Sequence, residues 1–428
     1  MLKIFNQFIA NLGAGRKASL AEVLLIGLSL FCLPLFEAPK NVFSILFLIA
    51  WLFCAVRSRS VGGSSPFGLV IFGLMAVLWV SPIFSEFKDL ITPLNSAPRW
   101  TLLALFVLLT ARLDYSRDQL LFLWAAALLG GIVAVFESFW AWHLNGKPYP
   151  EFRSVGHVNH SSMYSLVLLA VGIGSLYVAV RWLNLLGLLA IVATVSFLPP
   201  SKSLVGGVAI AAILLIASVN LSIAMNWSRR TFLMSLLTAI LAISAVLLLP
   251  PAEGFRSELV ARVTGDNLFS GRDKILNSAL AVWDQHPILG TGWFSFGAAT
   301  SEANVRAVLD ANGINYDGTF YWHFPHGHNL WTTILIERGL VGLFLITILL
   351  FLYFKTFMPI AFTHEKIDPL DRGVSSAAFL VAVGFTVAGL GNTTMMNEHG
   401  HAGMAFIAIA YGYLRGNGRL SQMKSPIL

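Results

Sequence analysis

The stretch PHGHNLWTTILIERGLVG, from Pro325 to Gly342, joins two kinds of sequence. Its first half crowds His326, His328, Asn329 and Trp331 together. Its second half opens an apolar run that continues to 355 and carries Glu337 and Arg338 near its start. A bilayer crossing needs roughly 20 mainly apolar residues, so the run reads as a membrane helix with titratable groups at its mouth.

Runs of this kind recur along the chain. Hydrophobic residues make up 57% of the 428 positions and charged ones only 11%, where soluble domains carry about 25% charged residues. The expected fold class is therefore an all-α polytopic membrane protein. About twelve spans are expected, near 21–36, 42–56, 66–84, 98–111, 120–142, 162–180, 182–197, 204–224, 231–249, 329–355, 376–391 and 402–415. They divide the chain into spans one to nine (1–249), a large outer loop (250–328), and spans ten to twelve with the C-terminal segment (329–428). Lys3, Arg16 and Lys17 precede the apolar run Val23–Phe36, and no small-x-small cleavage site follows it. The run reads as the first span rather than a cleavable signal. Cys32 and Cys54 lie in apolar runs and imply no disulfide framework. The formal charge of +7 is spread over many short loops, with no Lys/Arg-rich tract. That distribution is a topology signal rather than a nucleic-acid footprint.

Lys and Arg in short loops set the orientation. Arg16 and Lys17, Arg57 and Arg59, Arg112 and Arg117, Arg181, Arg229 and Arg230, Lys366 and Arg372, and Arg415 and Arg419 share one side. This predicts a cytoplasmic location for both termini. The other side receives 143–161 and 250–328, with nine of the ten histidines: His143, His157, His160, His286, His323, His326, His328, His399 and His401. Titratable residues gathered at one membrane face point to a site there.

The outer loop is too long for a plain connector and has a helix signal of its own. In SGRDKILNSALAVWDQHP, Ser270 stands as an N-cap with Asp273 at capping-box spacing, and Ile275, Ala279, Val282 and Trp283 share a face. Arg272 in the first turn opposes the helix dipole, which makes sense if an anion binds at that N-terminus. The ordinary alternative is an exposed surface arginine. Lys202, in the short outer loop PPSKS, could bind phosphate or snorkel to head groups. Arg153 and Arg99 are similar cases. Glu137 lies near the outer end of its span, where it reaches toward water. His328 as a neutral imidazole could take a proton from a hydroxyl, or merely satisfy an interfacial hydrogen bond. The HGH triplets at 326–328 and 399–401 invite a zinc reading, but no outer cysteine or HExxH accompanies them. No metal and no cofactor is expected.

His328, Asn329, Gly339 and Gly342 spell HN-x9-G-xx-G. This pattern resembles the signature of the bacterial O-antigen ligase family, within the superfamily that includes O-antigen polymerases and protein O-oligosaccharyltransferases. GRDKILNSALAVWDQHPILGTGWFSFG is similar to the family's Arg…Trp…HP block, and SVGHVNHSSMYS at 154–165 to its earlier outer segment. By architecture the likeness covers most of the chain; by residues it is concentrated in 154–165, 201–207 and 271–342. It departs at Ser201-Lys202, where the family commonly has Ser-Arg; lysine keeps the charge and loses the bidentate grip.

The resemblance implies a glycosyltransferase at the periplasmic face of the inner membrane. It implies transfer of a glycan from undecaprenyl pyrophosphate to a sugar hydroxyl of lipid A–core oligosaccharide, inverting and without a metal. His328 would be the catalytic residue, and Arg272, Lys202 and Arg153 would bind the pyrophosphate. Asn329, His326, His157, Asn159 and Trp283 would support the site or position the acceptor. Polymerase and protein-glycosylating activity on the same donor are the near alternatives. A transporter without covalent chemistry is the alternative of another class. It is weakened by the lack of a matched pair of Gly/Pro-broken helices and of a mid-membrane acidic residue.

Overall fold

A computed structural model describes residues 16–84, 91–146, 149–201, 203–224, 253–264, 271–395 and 397–422, with isolated positions between 228 and 237. In chain order the elements are β1 (Arg16–Lys17), α1 (Leu20–Cys32), α2 (Glu37–Ser58), α3 (Pro66–Val80), α4 (Ile91–Thr110), β2 (Leu113–Asp114), α5 (Arg117–Asn145), α6 (Val158–Ser175), α7 (Arg181–Ser201) and α8 (Leu204–Ala224). There follow α9 (Glu253–Thr264), α10 (Arg272–Trp283), α11 (Phe296–Ala299), α12 (Glu302–Ala311), α13 (Leu330–Ala361), α14 (Pro369–Ala388), α15 (Asn397–Gly416) and α16 (Arg419–Gln422). Among the described residues the regular structure is helical apart from the short parallel pair β1–β2, with irregular segments at 284–295 and 312–329.

A helix covers every expected window except the ninth, 231–249, which lies almost wholly outside the described residues. Length and composition together suit fewer of them to a membrane crossing. Among the described residues six helices are long and apolar enough: Glu37–Ser58, Pro66–Ile83, Arg117–Asn145, Val205–Ala224, Leu330–Ala361 and Pro369–Ala388. The 13 residues of α1 reach only about 20 Å. The first turns of α6 and α15 are polar, with Asn159, His160, Glu398, His399 and His401.

Those two polar-tipped helices sit at the centre. Residues 161–175 of α6 are all buried, and so is nearly all of α14 and α15. The outer helices present bare apolar side chains, among them Leu69, Val56, Phe53 and Phe344. Such faces are stable in hydrocarbon and not in water.

Loop contacts sort into two ends. At one, Ala18 N donates to Asp114 O, Gly63 N to Arg112 O, Arg415 pairs with Asp114, and Arg419 with Asp371. At the other, Lys40 meets Ser154 and Glu398, Asn392 Nδ2 donates to Asn159 O, and Leu330 N to Gly389 O.

The helix opened by the HN motif is not continuous. Gly339 has φ 60°, ψ −162°, which breaks α13 into Leu330–Arg338 and Leu340–Ala361. The second part, 22 residues by its bounds, reaches about 33 Å and can cross the bilayer alone. The loop 287–292 fills the break. Thr291 N donates to Ile336 O (2.7 Å) and Gly292 N to Glu337 O (3.1 Å). In return Leu340 N donates to Pro287 O (2.9 Å) and Val341 N to Ile288 O (3.2 Å). Backbone groups orphaned by the break are thereby satisfied without water. A side chain at Gly339 would overlap the Ile288 carbonyl, and one at Gly290 would sit 2.5 Å from Arg338 N. HPILGTG and G-xx-G are therefore two sides of one backbone crossing. The first part of α13 also bridges two cores. Leu330 and Ile334 belong to the membrane core, and Ile336 belongs to the outer-domain core with Ile275, Ala279, Val282 and Phe296.

Candidate active site at a convergence of helix N-termini

His328 precedes α13 with φ 45°, a left-handed backbone unusual for a residue with a side chain. Asn329 fixes it there. Its Oδ1 accepts from Trp331 N (2.9 Å) and Thr332 N (3.1 Å), and its Nδ2 donates to Leu390 O (2.9 Å). Asn329 is thus an N-cap that ties α13 to the end of α14; its support of the site is structural. Phe324 packs against both histidines of the pair, 5.1 Å from His326 and 4.5 Å from His328 between ring centroids, and the two imidazoles are 4.0 Å apart.

Further histidines close on this pair from α6 and α15. His157 caps α6, its Nδ1 accepting from Asn159 N at 3.1 Å. Its ring lies 5.8 Å from that of His160, which lies 5.5 Å from His399. Asn397 contacts His160, and the Asn159 carbonyl accepts from Asn392. His160 lies in the 154–165 segment but was not singled out, and His399 was signalled only by the excess of outer histidines. Asn392 and Asn397 had no sequence signal, since they come from a segment more than two hundred residues from His160.

Arg272 begins α10, whose N-cap is Gly271 at φ 74°. The expected cap, Ser270, lies outside the described residues. Arg272 is close enough to act on His328 electrically. Burial, then His326, then the Arg272 guanidinium, then His157 and His160 lower the His328 pKa to about 3. Burial lowers His326 too. The His328 imidazole is therefore neutral at any physiological pH and retains a lone pair, where the sequence alone suggested titration near 6.5. The first turns of α6 and α15 meet at His160 and His399, His328 stands before α13, and Arg272 in the first turn of α10 acts on His328; the first N–H groups of α13 are taken by Asn329 Oδ1 and Gly389 O. The positive ends of these helix dipoles, with Arg272, favour an anion there.

The remaining expected residues fall out differently. Lys202 lies outside the described residues. Arg153 is exposed and pairs with Glu137 at 3.6 Å, so its charge is already engaged. Trp283 donates from Nε1 to Pro287 O at 3.3 Å; it fastens α10 to the crossing loop. Arg99, half exposed, joins a network in which Lys40, 2% exposed, and Glu398, 4% exposed, are ion-paired, with Glu37 and Ser154 adding contacts. This network locks α2, α4 and α15 beside the histidines. No three His, Cys, Asp or Glu side chains converge to hold a metal among the described residues.

Below the histidines an apolar groove of about 690 Å³ runs between α3, α4, α13 and α15, lined by Leu330, Ile334, Trp100, Met75, Leu349 and Arg338 among others. Arg338 is its one cation, 8% exposed and stacked 4.2 Å from the Trp293 ring. The geometry supplies a buried neutral base, an anion-favouring pocket and an apolar trough in continuity, because Leu330 and Ile334 are on the helix that His328 opens. Neither the models of known families nor the curated proteins with which the chain was compared match it.

Proposed function

We propose that this chain is a membrane glycosyltransferase of the O-antigen ligase type, taking a glycan from undecaprenyl pyrophosphate to a sugar hydroxyl of lipid A–core. The observation that carries the reading is the union, in one place, of His328, Arg272, helix N-termini and an apolar groove. A donor with an anionic head and a polyprenyl tail needs both a cation beside positive helix ends and an apolar trough. His328, held neutral, accepts the proton of the attacking hydroxyl as the hydroxyl oxygen bonds the anomeric carbon. The bond from that carbon to the pyrophosphate oxygen breaks, and its electron pair leaves with undecaprenyl pyrophosphate. Attack opposite the leaving group inverts the carbon. Arg272 and the helix N-termini stabilise the charge on the departing pyrophosphate, and this reading calls for no metal or cofactor. The site faces the periplasm of the inner membrane, and both termini are cytoplasmic, by the Lys/Arg distribution.

The transporter alternative gains nothing from the broken helix. Unwound backbone in transporters coordinates ions, whereas here the Ile336 and Glu337 carbonyls accept from Thr291 and Gly292. The deciding experiment is the lipopolysaccharide pattern of a deletion strain, with transfer assayed on reconstituted protein. Core without any O-antigen, while lipid-linked polymer accumulates, supports ligase. Core bearing a single repeat supports polymerase instead. Unchanged lipopolysaccharide, with no transfer in vitro to any sugar or protein acceptor, sinks the whole proposal.

A further inference from the structure

The outer domain carries a second concave feature. A groove of about 820 Å³ lies between α10, α12 and the segment 314–321, lined by Asn277, Asp284, Asn312, Phe320 and Tyr321 together with aliphatic side chains. No lysine or arginine lines it, so it does not suit a phosphate. Asn277 donates to Phe320 O and Asn312 to Val308 O, which fixes both amides and leaves each side-chain carbonyl oxygen to accept. Asp284 is an exposed carboxylate. Acceptors for hydroxyl groups therefore stand beside an aromatic face: Phe320 is 54% exposed, and Tyr321 is stacked on Tyr316 with centroids 5.8 Å apart.

The groove is joined to the candidate active site by rings. Trp322, 46% exposed, lies over Gly271, directly before Arg272, so closely that a methyl there would overlap the indole. Its ring is 6.0 Å from Phe324, and Phe324 touches His326 and His328. The segment is strapped to α10 through Trp322 N to Ser278 Oγ (3.0 Å) and Ser278 Oγ to Trp322 O (3.0 Å). A large, half-exposed indole and phenyl fixed in this way are a costly surface for a protein to leave bare.

We propose that Trp322, Phe320 and the groove that Phe320 borders form a track for neutral sugar rings, leading from the reacting centre at Arg272 and His328 outward over the domain. Aromatic faces take the apolar C–H faces of pyranose rings, and Asp284 with the two amides takes their hydroxyls. The occupant is the uncharged part of an oligosaccharide, whether from the donor or the acceptor. This inference rests on the glycan-transfer reading.

Binding is measured separately from turnover to keep the two apart. Full-length protein in nanodiscs is titrated, by saturation-transfer NMR, with two probes: the oligosaccharide released by mild acid from the lipid-linked donor, and lipid-free core oligosaccharide. One or both should bind, and Trp322→Ala or Phe320→Ala should weaken that binding by about tenfold. Trp322→Phe should restore most of it, and Asp284→Asn should weaken it less. In the transfer assay the same variants should raise KM for a several-sugar substrate and leave kcat, and KM for its single-sugar counterpart, unchanged. Which probe binds tells whether the track holds donor or acceptor glycan. If neither probe binds the wild type, or if wild type and both alanine variants bind with equal affinity, the track is overturned. Binding that depends on Trp322, in a protein that transfers nothing, keeps the track and removes the catalytic reading.

Discussion

Replacing Gly339 by alanine tests the backbone crossing on which the outer domain is hung. Two costs combine. At φ 60°, ψ −162° the backbone is in a region essentially reserved for glycine, and a side chain there costs about 1–3 kcal/mol. The new methyl also overlaps the Ile288 carbonyl, which accepts from Val341 N and neighbours the Pro287 carbonyl that accepts from Leu340 N. Loss of those two hydrogen bonds, with their groups left buried, costs about 1–3 kcal/mol each. The expected total is about 3–9 kcal/mol, most of it local, because Leu340–Ala361 can still cross the membrane. Gly313→Ala is the control: it has φ +70° but nothing within 4 Å, so only the conformational cost remains, about 1–2 kcal/mol. Purified protein is assayed by hydrogen exchange on peptides covering 286–294 and 336–342, with thermal unfolding followed in parallel. Gly339→Ala should exchange far faster at Thr291, Gly292, Leu340 and Val341 while the α14 and α15 amides stay protected. Activity should fall although the change lies a full helical segment, Leu330–Arg338, beyond the Asn329 cap. Wild-type protection at those amides in Gly339→Ala would refute the crossing as the element that holds the domain.

Arg272→Ala should lower transfer by about 10²–10³-fold, and Arg272→Lys should remain clearly impaired because the planar fork is lost; wild-type rates in well-inserted Arg272→Ala would remove it from the site. His328→Ala should abolish visible transfer. In the wild type, kcat/KM should stay flat from pH 8 down to about 5, since the folded imidazole titrates near 3; an acid limb at 6–7 would contradict the buried, neutral histidine. The same shift predicts acid loosening of the site: between 6.5 and about 3 the unfolded imidazole binds a proton that the folded one refuses, so stability falls as pH drops through that window. Reporter fusions at Gly313 and Lys366 should show the first outside and the second inside; the reverse pattern would overturn the orientation and, with it, the periplasmic site.

Hydropathy alone was enough to place the helices, because membrane spans are local: each must be apolar over its own length whatever its neighbours do. The helix over 272–283 was legible for the same reason, from the spacing of Ile275, Ala279 and Val282. Local reading could not see that helices such as α6 and α15 are buried among others and can carry histidines and asparagines at their tips. It also could not see that Gly339 breaks α13, since the glycine makes sense only with the 287–292 loop lying across it. Arg153, a phosphate candidate by charge, became an ion-pair partner of Glu137, and Asn329 and Trp283 became fasteners of backbone. The gathering of His157, His160, His326, His328 and His399 around one region was decided by tertiary structure alone. Proximity between residues from α6, the outer loop and α15 depends on which helix packs against which, and that is set by whole-bundle packing rather than by any one segment's pattern.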